Sequence, residues 1–122
     1  METILIERSE IFRFSEKAFS TKPDYPFEKF PHYAVLRHAD NDKWFGLVMN
    51  VPRHKLGLRG EDGVDVIDVK CHPGKVDALR NRRGFLPAYH MNKDHWLTVV
   101  LDGSVSKRDV FALLKESYDL TR

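Results

Sequence analysis

Gly84-Phe-Leu-Pro-Ala-Tyr-His-Met-Asn-Lys-Asp-His-Trp-Leu-Thr-Val-Val-Leu-Asp-Gly-Ser-Val105 is the stretch on which the fold turns. Two runs of strand-like residues, Phe85 to Met91 and Trp96 to Leu101, flank a polar turn at Asn92 to Asp94. Asp102-Gly103 then marks a second turn. Alternation along the second run places Leu97, Val99 and Leu101 on one face of a sheet, under helices, and Trp96, Thr98 and Val100 on the other. The turn holds more hydrogen-bonding side chains than a plain hairpin needs: Tyr89, His90, Asn92, Lys93, Asp94, His95 and Trp96 fall within eight positions.

Working outward, Ser106-Lys-Arg-Asp109 has the form of a helix start before Val110, Phe111, Leu113, Leu114 and Tyr118, so a closing helix is expected. Upstream, Pro73 opens a short helix to about Arg82, with Gly84 just past its end. Val64 to Cys71 reads as a strand. Arg53 to Gly63, with Gly57, Gly60 and Gly63 among charged residues, reads as a mobile connection, and its glycine spacing matches no phosphate-binding loop.

His32 to His38 and Lys43 to Val51 form a hairpin about a turn at Ala39 to Asp42. In the second of these strands, Phe45, Leu47, Met49 and Val51 are expected on the core side, with Trp44, Gly46, Val48 and Asn50 opposite. Residues 4 to 19 space Ile4, Leu5, Arg8, Ile11, Phe12, Ser15 and Phe19 by threes and fours, an amphipathic helix that should end before Pro23. Pro23, Pro26 and Pro31 preclude helix and suggest an extended arm crossing the body. The order is helix, three strands, helix, two strands, helix: an α+β domain with a five-stranded antiparallel sheet, and one domain over residues 1–122.

A chain of 122 residues, 42% apolar and 31% charged, buries a core without disulfides or metal. It has no apolar run of membrane-spanning length. The N-terminus meets acidic residues at once and lacks an export signal, so a cytoplasmic location is expected. Cys71, the single cysteine, ends an apolar run and reads as a buried inert thiol.

The net charge of +2 is unevenly spread. From Lys70 to Lys93, the cations Lys70, Lys75, Arg80, Arg82, Arg83 and Lys93 face one carboxylate, Asp77. Just before them stand Glu61, Asp62, Asp65 and Asp68. Such a dipole suits an anionic partner on one side of the molecule.

The sequence resembles the MmcQ/YjbR-like family of small bacterial proteins. The resemblance rests on Trp44-Phe-Gly-Leu-Val-Met49, Val66-Ile-Asp-Val-Lys-Cys71, Tyr89-His-Met-Asn-Lys-Asp-His-Trp96, Leu101-Asp-Gly103 and the closing helix near Ser117-Tyr118. It implies a sheet with helices packed on one face. Members often carry the label DNA-binding, and the family supplies no catalytic residues to place here.

DNA is therefore the expected partner, engaged through Lys70, Arg80, Arg82, Arg83, His90, Asn92 and Lys93, which supply cations and donors for phosphate. An alternative is a homodimer or protein-interaction module using Trp44 and Trp96, both on the face away from the helices. A third reading is an enzyme on a small molecule, with His90 or His95 as base, Asp94 or Asp102 as orienter and Lys93 for an oxyanion; it calls for a pocket with one of those histidines at its base. No nucleophile motif anchors it. The six histidines match no zinc spacing, so neither metal nor cofactor is expected. Asn92 and Asp94 can instead bond their own backbone, and the His95 ring can tie the turn to a neighbouring strand.

Overall fold

A computed structural model describes residues 5–122 of the chain. Its elements are α1 (Arg8–Phe19), β1 (Ala34–Arg37), β2 (Trp44–Pro52), β3 (Gly63–Lys70), α2 (Pro73–Leu79), β4 (Phe85–Pro87), β5 (Trp96–Val100) and α3 (Lys107–Leu120). The strands form one antiparallel sheet in the order β1-β2-β3-β5-β4. The expected α+β architecture, with helices on one face, is the one observed.

Helix α1 starts later than its apolar spacing suggests. Glu7 caps it in a reciprocal box with Glu10, and Ile6, ahead of the cap, donates its N–H to Leu101 C=O. Ile4 lies outside the described residues. At the far end Ser20 takes a left-handed conformation and closes the helix before Pro23. In α3, Ser106 Oγ accepts from Asp109 N–H as the sequence predicts. The two helices meet through stacked rings, Phe14 on Phe111 at 4.3 Å and Phe19 on Tyr118 at 4.1 Å.

The expected faces of β2 need correction. Leu36 pairs with Gly46 but Arg37 pairs with Trp44, so Phe45 is an extra, bulged residue. Phe45 therefore joins Val48, Ile67, Leu97 and Val99 in the core under the helices. Leu47, Met49 and Val51 pack with Val35, Val64, Val66 and Val100 on the opposite face. Strand β5 keeps the predicted sides, with Leu97, Val99 and Leu101 toward the helices.

Beyond Leu47↔Asp68 the β2–β3 ladder stops, and a helix residue takes over. Ser117 Oγ donates to Phe45 C=O at 2.6 Å and accepts from Lys70 N–H at 2.9 Å. Both backbone groups at the end of the ladder are thereby satisfied in the interior.

Two connections also differ from expectation. Residues 53–62, expected as an irregular connection, hold a 3-10 turn at Arg53–Leu56 and an Arg53 N–H to Asp62 C=O bond, with Leu56 and Leu58 packed on the sheet. Strand β4 ends at Pro87, short of Met91, since proline supplies no N–H to extend the ladder. Gly84 before it has φ +89°, and a Cβ there would lie 2.6 Å from Val105 Cγ2, so glycine is required at this corner.

Candidate functional site

The face of the sheet away from the helices has its own cover, assembled from two segments. The first is the proline-rich arm. Asp24 pairs with Val35 through both backbone bonds, its carboxylate accepts from Arg37 Nε at 3.1 Å, and the chain beyond lays Phe27 and Tyr33 over the sheet, with Phe30 exposed beside them. Phe27 meets Trp44 edge-on at 6.0 Å, and Phe30 stacks on Tyr33 at 4.6 Å.

The second segment is residues 88–95. Asn92 Oδ1 accepts from the N–H groups of Asp94 and His95, Lys93 Nζ donates to Ala88 C=O at 2.9 Å, and Tyr89 N–H donates to Thr98 Oγ1 at 2.9 Å. His90 has φ +67°, the left-handed region, which turns its ring back over Tyr89 at 4.1 Å. It reaches Tyr33 at 6.3 Å, so the two covers meet.

The covers enclose an aromatic pocket and border a groove, and a separate cleft opens beyond β4 and β5. An aromatic pocket of about 270 Å³ is lined by Phe27, Phe30, Tyr33, Trp44, Leu47, His90 and Met91. A groove of about 340 Å³ lies beside it, lined by Lys43, Lys70, Trp96, Leu120, Thr121 and Arg122 together with the same Trp44 and Met91. A cleft of about 490 Å³ gathers Arg80, Asn81, Arg82, Arg83, the β4 strand, Leu58, Val100, Asp102 and Ser104.

A single row of side chains links the two ends of this face. Val35 pairs with Leu47, Leu47 with Asp68, Asp68 with Thr98, and Thr98 with Leu86. Leu47 lines the aromatic pocket and Leu86 the arginine cleft. Three strand intervals of roughly 4.8 Å put them ~14 Å apart.

Asp68, at the centre of that row, is fully buried. Its Oδ1 accepts from Thr98 Oγ1 at 2.5 Å, while Oδ2 has no partner among the described residues. Burial pushes its carboxyl up to about 8, against the smaller opposing pull of the Thr98 bond and the Lys93 charge. Tyr33 is also raised, first by burial and then by Tyr89 and Asp68. In the sequence Asp68 stands as one member of an acidic run. Its place between Ile67 and Val69, in phase with Val66, is the overlooked sign of a carboxyl inside a strand core.

The basic residues marked in the sequence separate into different places. Arg80, Arg82 and Arg83 share the cleft; Arg82 and Arg83 are exposed and in no ion pair among the described residues, while Arg80 pairs with Asp77 at 3.0 Å. Lys70 lies in the groove with both tryptophans, at the opposite end of β5 from the cleft. Lys93 and Asn92 brace the 88–95 loop, and His90 lines the aromatic pocket. Trp44 and Trp96 are half-buried groove walls, Trp44 also lying under the Arg37 guanidinium at 5.5 Å.

The turn chemistry falls to Asn92, with His95 contributing its backbone: its N–H bonds Asn92 and its C=O accepts from Cys71 N–H. Cys71 is buried, and desolvation pushes its thiol up to about 11, far from a nucleophile's range. Among the described residues no three His, Cys, Asp or Glu side chains gather as a metal site, and no helix is long and apolar enough to cross a membrane.

Comparison with known proteins matches the model of the family described as YjbR over residues 17–120. The uncharacterized protein YyaQ of Bacillus subtilis (strain 168) is 43% identical over 118 residues, covering 97% of this chain and 100% of that one. A crystal structure of a Pseudomonas syringae protein superposes with a TM-score of 0.93 at 48% identity, covering 96% of this chain and 100% of that chain. A Deinococcus radiodurans protein, at 22% identity and a TM-score of 0.73 over 98% of this chain and 81% of its own, shares the fold.

Proposed function

The chain belongs to the YjbR family, and from that premise we propose that it is a non-enzymatic protein that binds DNA through phosphate contacts made by Arg80, Arg82 and Arg83. The observation that carries the reading is that three arginines line one open cleft, two of them exposed and in no ion pair among the described residues. A guanidinium presents a planar fork of donors that fits phosphate oxygens, and each phosphate neutralised releases counterions. Asn81 adds a neutral donor, and Asp102 is the single carboxylate among the described residues of the lining.

A helix C-terminus attracts arginines without any ligand, but α2 has little need of them. Its late carbonyls are already taken, Val76 C=O by Arg80 N–H and Leu79 C=O by Arg82 N–H. Catalysis is less well supported in this cleft, where Ser104 and Asp102 stand on a lining that includes no histidine to activate the hydroxyl. Trp44 and Trp96 line concave grooves, which supports a ligand-sized occupant over a flat dimer face.

Fluorescence anisotropy with labelled duplex DNA across a salt series tests the reading. Two or three phosphate contacts give a slope of log affinity on log salt of roughly −2 to −3. Arg82→Glu/Arg83→Glu is expected to weaken binding at least tenfold and to flatten that slope. Binding indifferent to both salt and charge reversal would sink the reading.

A further inference from the structure

We infer that the aromatic pocket and the lysine groove beside it receive an unpaired base of a single-stranded nucleic acid together with its adjoining phosphate. The inference rests on the phosphate-binding reading above and names the form of nucleic acid. Its first support is continuity: Trp44 and Met91 line both concavities, so a ring seated in the pocket places its substituent beside Lys43 and Lys70. Neither lysine is in an ion pair among the described residues. Arg122 lines the same groove but is engaged with Asp119 at 3.3 Å and with the Tyr118 ring.

The pocket is the right kind of space for a base. At about 270 Å³ it lies just below the usual range for drug-sized ligands, roughly 300–1,000 Å³, and suits one flat ring system. Its walls are the stacked Phe30–Tyr33 pair, the Trp44 indole and the His90 imidazole, surfaces on which any base stacks. A base inside a duplex has both faces covered by its neighbours and cannot enter, so the pocket selects for single strands.

Charge complementarity fixes the occupant as a strand. The arginine cleft opens on the same face ~14 Å away along the Leu47–Leu86 row, counted as three strand spacings. A strand with its base in the pocket thus meets Lys43 and Lys70 in the adjoining groove and the arginines at the Leu86 end of that row. The nearest buried carboxyl, Asp68, stays protonated near neutral pH and does not oppose the approach of phosphate.

The two tryptophans of the chain both line the lysine groove, so intrinsic emission reports on it directly. The test titrates the wild type and Trp96→Phe, in which Trp44 alone emits, with oligothymidine, with mixed-sequence duplex and with thymidine monophosphate. Oligothymidine is expected to quench Trp44 saturably, and duplex to bind without quenching. Phe30→Ala, at a side chain already 48% exposed, is expected to lower single-strand affinity roughly 5- to 100-fold and leave duplex affinity unchanged. Lys70→Glu should weaken the single strand selectively, whereas Arg82→Glu/Arg83→Glu should weaken both.

Oligothymidine binding that neither quenches Trp44 nor responds to Phe30→Ala overturns the inference and leaves the arginine-cleft reading standing. Binding of neither nucleic acid overturns both. Equal affinity for thymidine monophosphate overturns the strand as occupant. A change in Trp44 emission on concentrating the protein alone, with a dimeric mass by light scattering, assigns the face to a second copy instead.

Discussion

Asp68 and Thr98 face each other across β3 and β5, and the Thr98 hydroxyl donates to Asp68 Oδ1 at 2.5 Å while accepting from Tyr89 N–H. One hydroxyl thus joins a buried acid to the loop that covers it. Burial keeps the proton on the acid, and the other carboxyl oxygen is unpartnered among the described residues.

Asp68 makes stability fall as pH rises. The folded chain holds this proton to about pH 8, whereas an ordinary aspartate releases it near 3.8. Across that interval the folded state binds more protons, so stability declines with pH at up to about 1.4 kcal/mol per unit. Asp68→Asn does not titrate and keeps an acceptor for Thr98. Urea unfolding of both proteins from pH 4 to 9 is expected to show the variant gaining on the wild type until about pH 8. Parallel profiles would remove the protonated carboxyl from the account.

His38 acts in the opposite sense. It is buried, stacks on Tyr118 at 4.1 Å, and its Nε2 shares a hydrogen bond of 2.7 Å with Thr121 Oγ1, which also lies 2.8 Å from Ser117 C=O. Burial holds its pKa below the ordinary 6.5. On acidification the unfolded chain takes up the proton first, so this contribution is present above pH 6.5 and is lost below it. Wild type is expected to lose stability relative to His38→Gln as pH falls from 6.5, although the glutamine variant starts about 1–3 kcal/mol lower through lost ring packing. NMR titration of the His38 ring supplies the direct reading, and an ordinary or raised midpoint would contradict it.

Ser117→Ala should be costly for so small a change. It strips a partner from Phe45 C=O and from Lys70 N–H at the end of the β2–β3 ladder. Leaving two buried backbone groups unpaired costs about 2–5 kcal/mol, against well under 1 for a surface serine. Thermal unfolding together with amide exchange at Lys70 separates the outcomes, because slow exchange at Lys70 in the variant would show that another acceptor had taken over.

Gly84→Ala is expected to destabilise by about 2 kcal/mol or more. The residue holds φ +89°, and the added methyl would overlap Val105 and Ser104. Gly74→Ala, where nothing lies within reach of the new Cβ, serves as the control in the same denaturant series.

Much of the fold could be read in advance because its signals are local. The Ser106 cap, the Pro73 helix start, the Asn92 turn and the alternation of Leu97, Val99 and Leu101 each depend on a few neighbouring residues. The faces of β2 escaped because one inserted residue changes the phase of alternation, and no residue type at Phe45 announces it. Among the site residues, Arg80, Arg82 and Arg83 stay together because they adjoin in the chain. Lys70 and Lys93 do not join them, because they lie at the end of β3 and in the loop before β5, at the other end of β5 from the arginine cleft. The aromatic pocket joins residues 27–33 to residues 90–91, and only the β1-β2-β3-β5-β4 order brings their covers together.

The bulge at Phe45 works as a parity switch. After it, odd-numbered residues of β2 look outward, as Leu47, Met49 and Val51 do; before it, the even-numbered Trp44 does. Neighbouring strand residues face opposite sides in any case; the bulge decides that the phenyl ring goes to the helix side and the indole to the other. Without the extra residue's kink the same sequence would exchange those two rings. The pocket would then lose the wall it shares with the lysine groove, so the proposed division between base and phosphate subsites hangs on a single irregularity in backbone pairing.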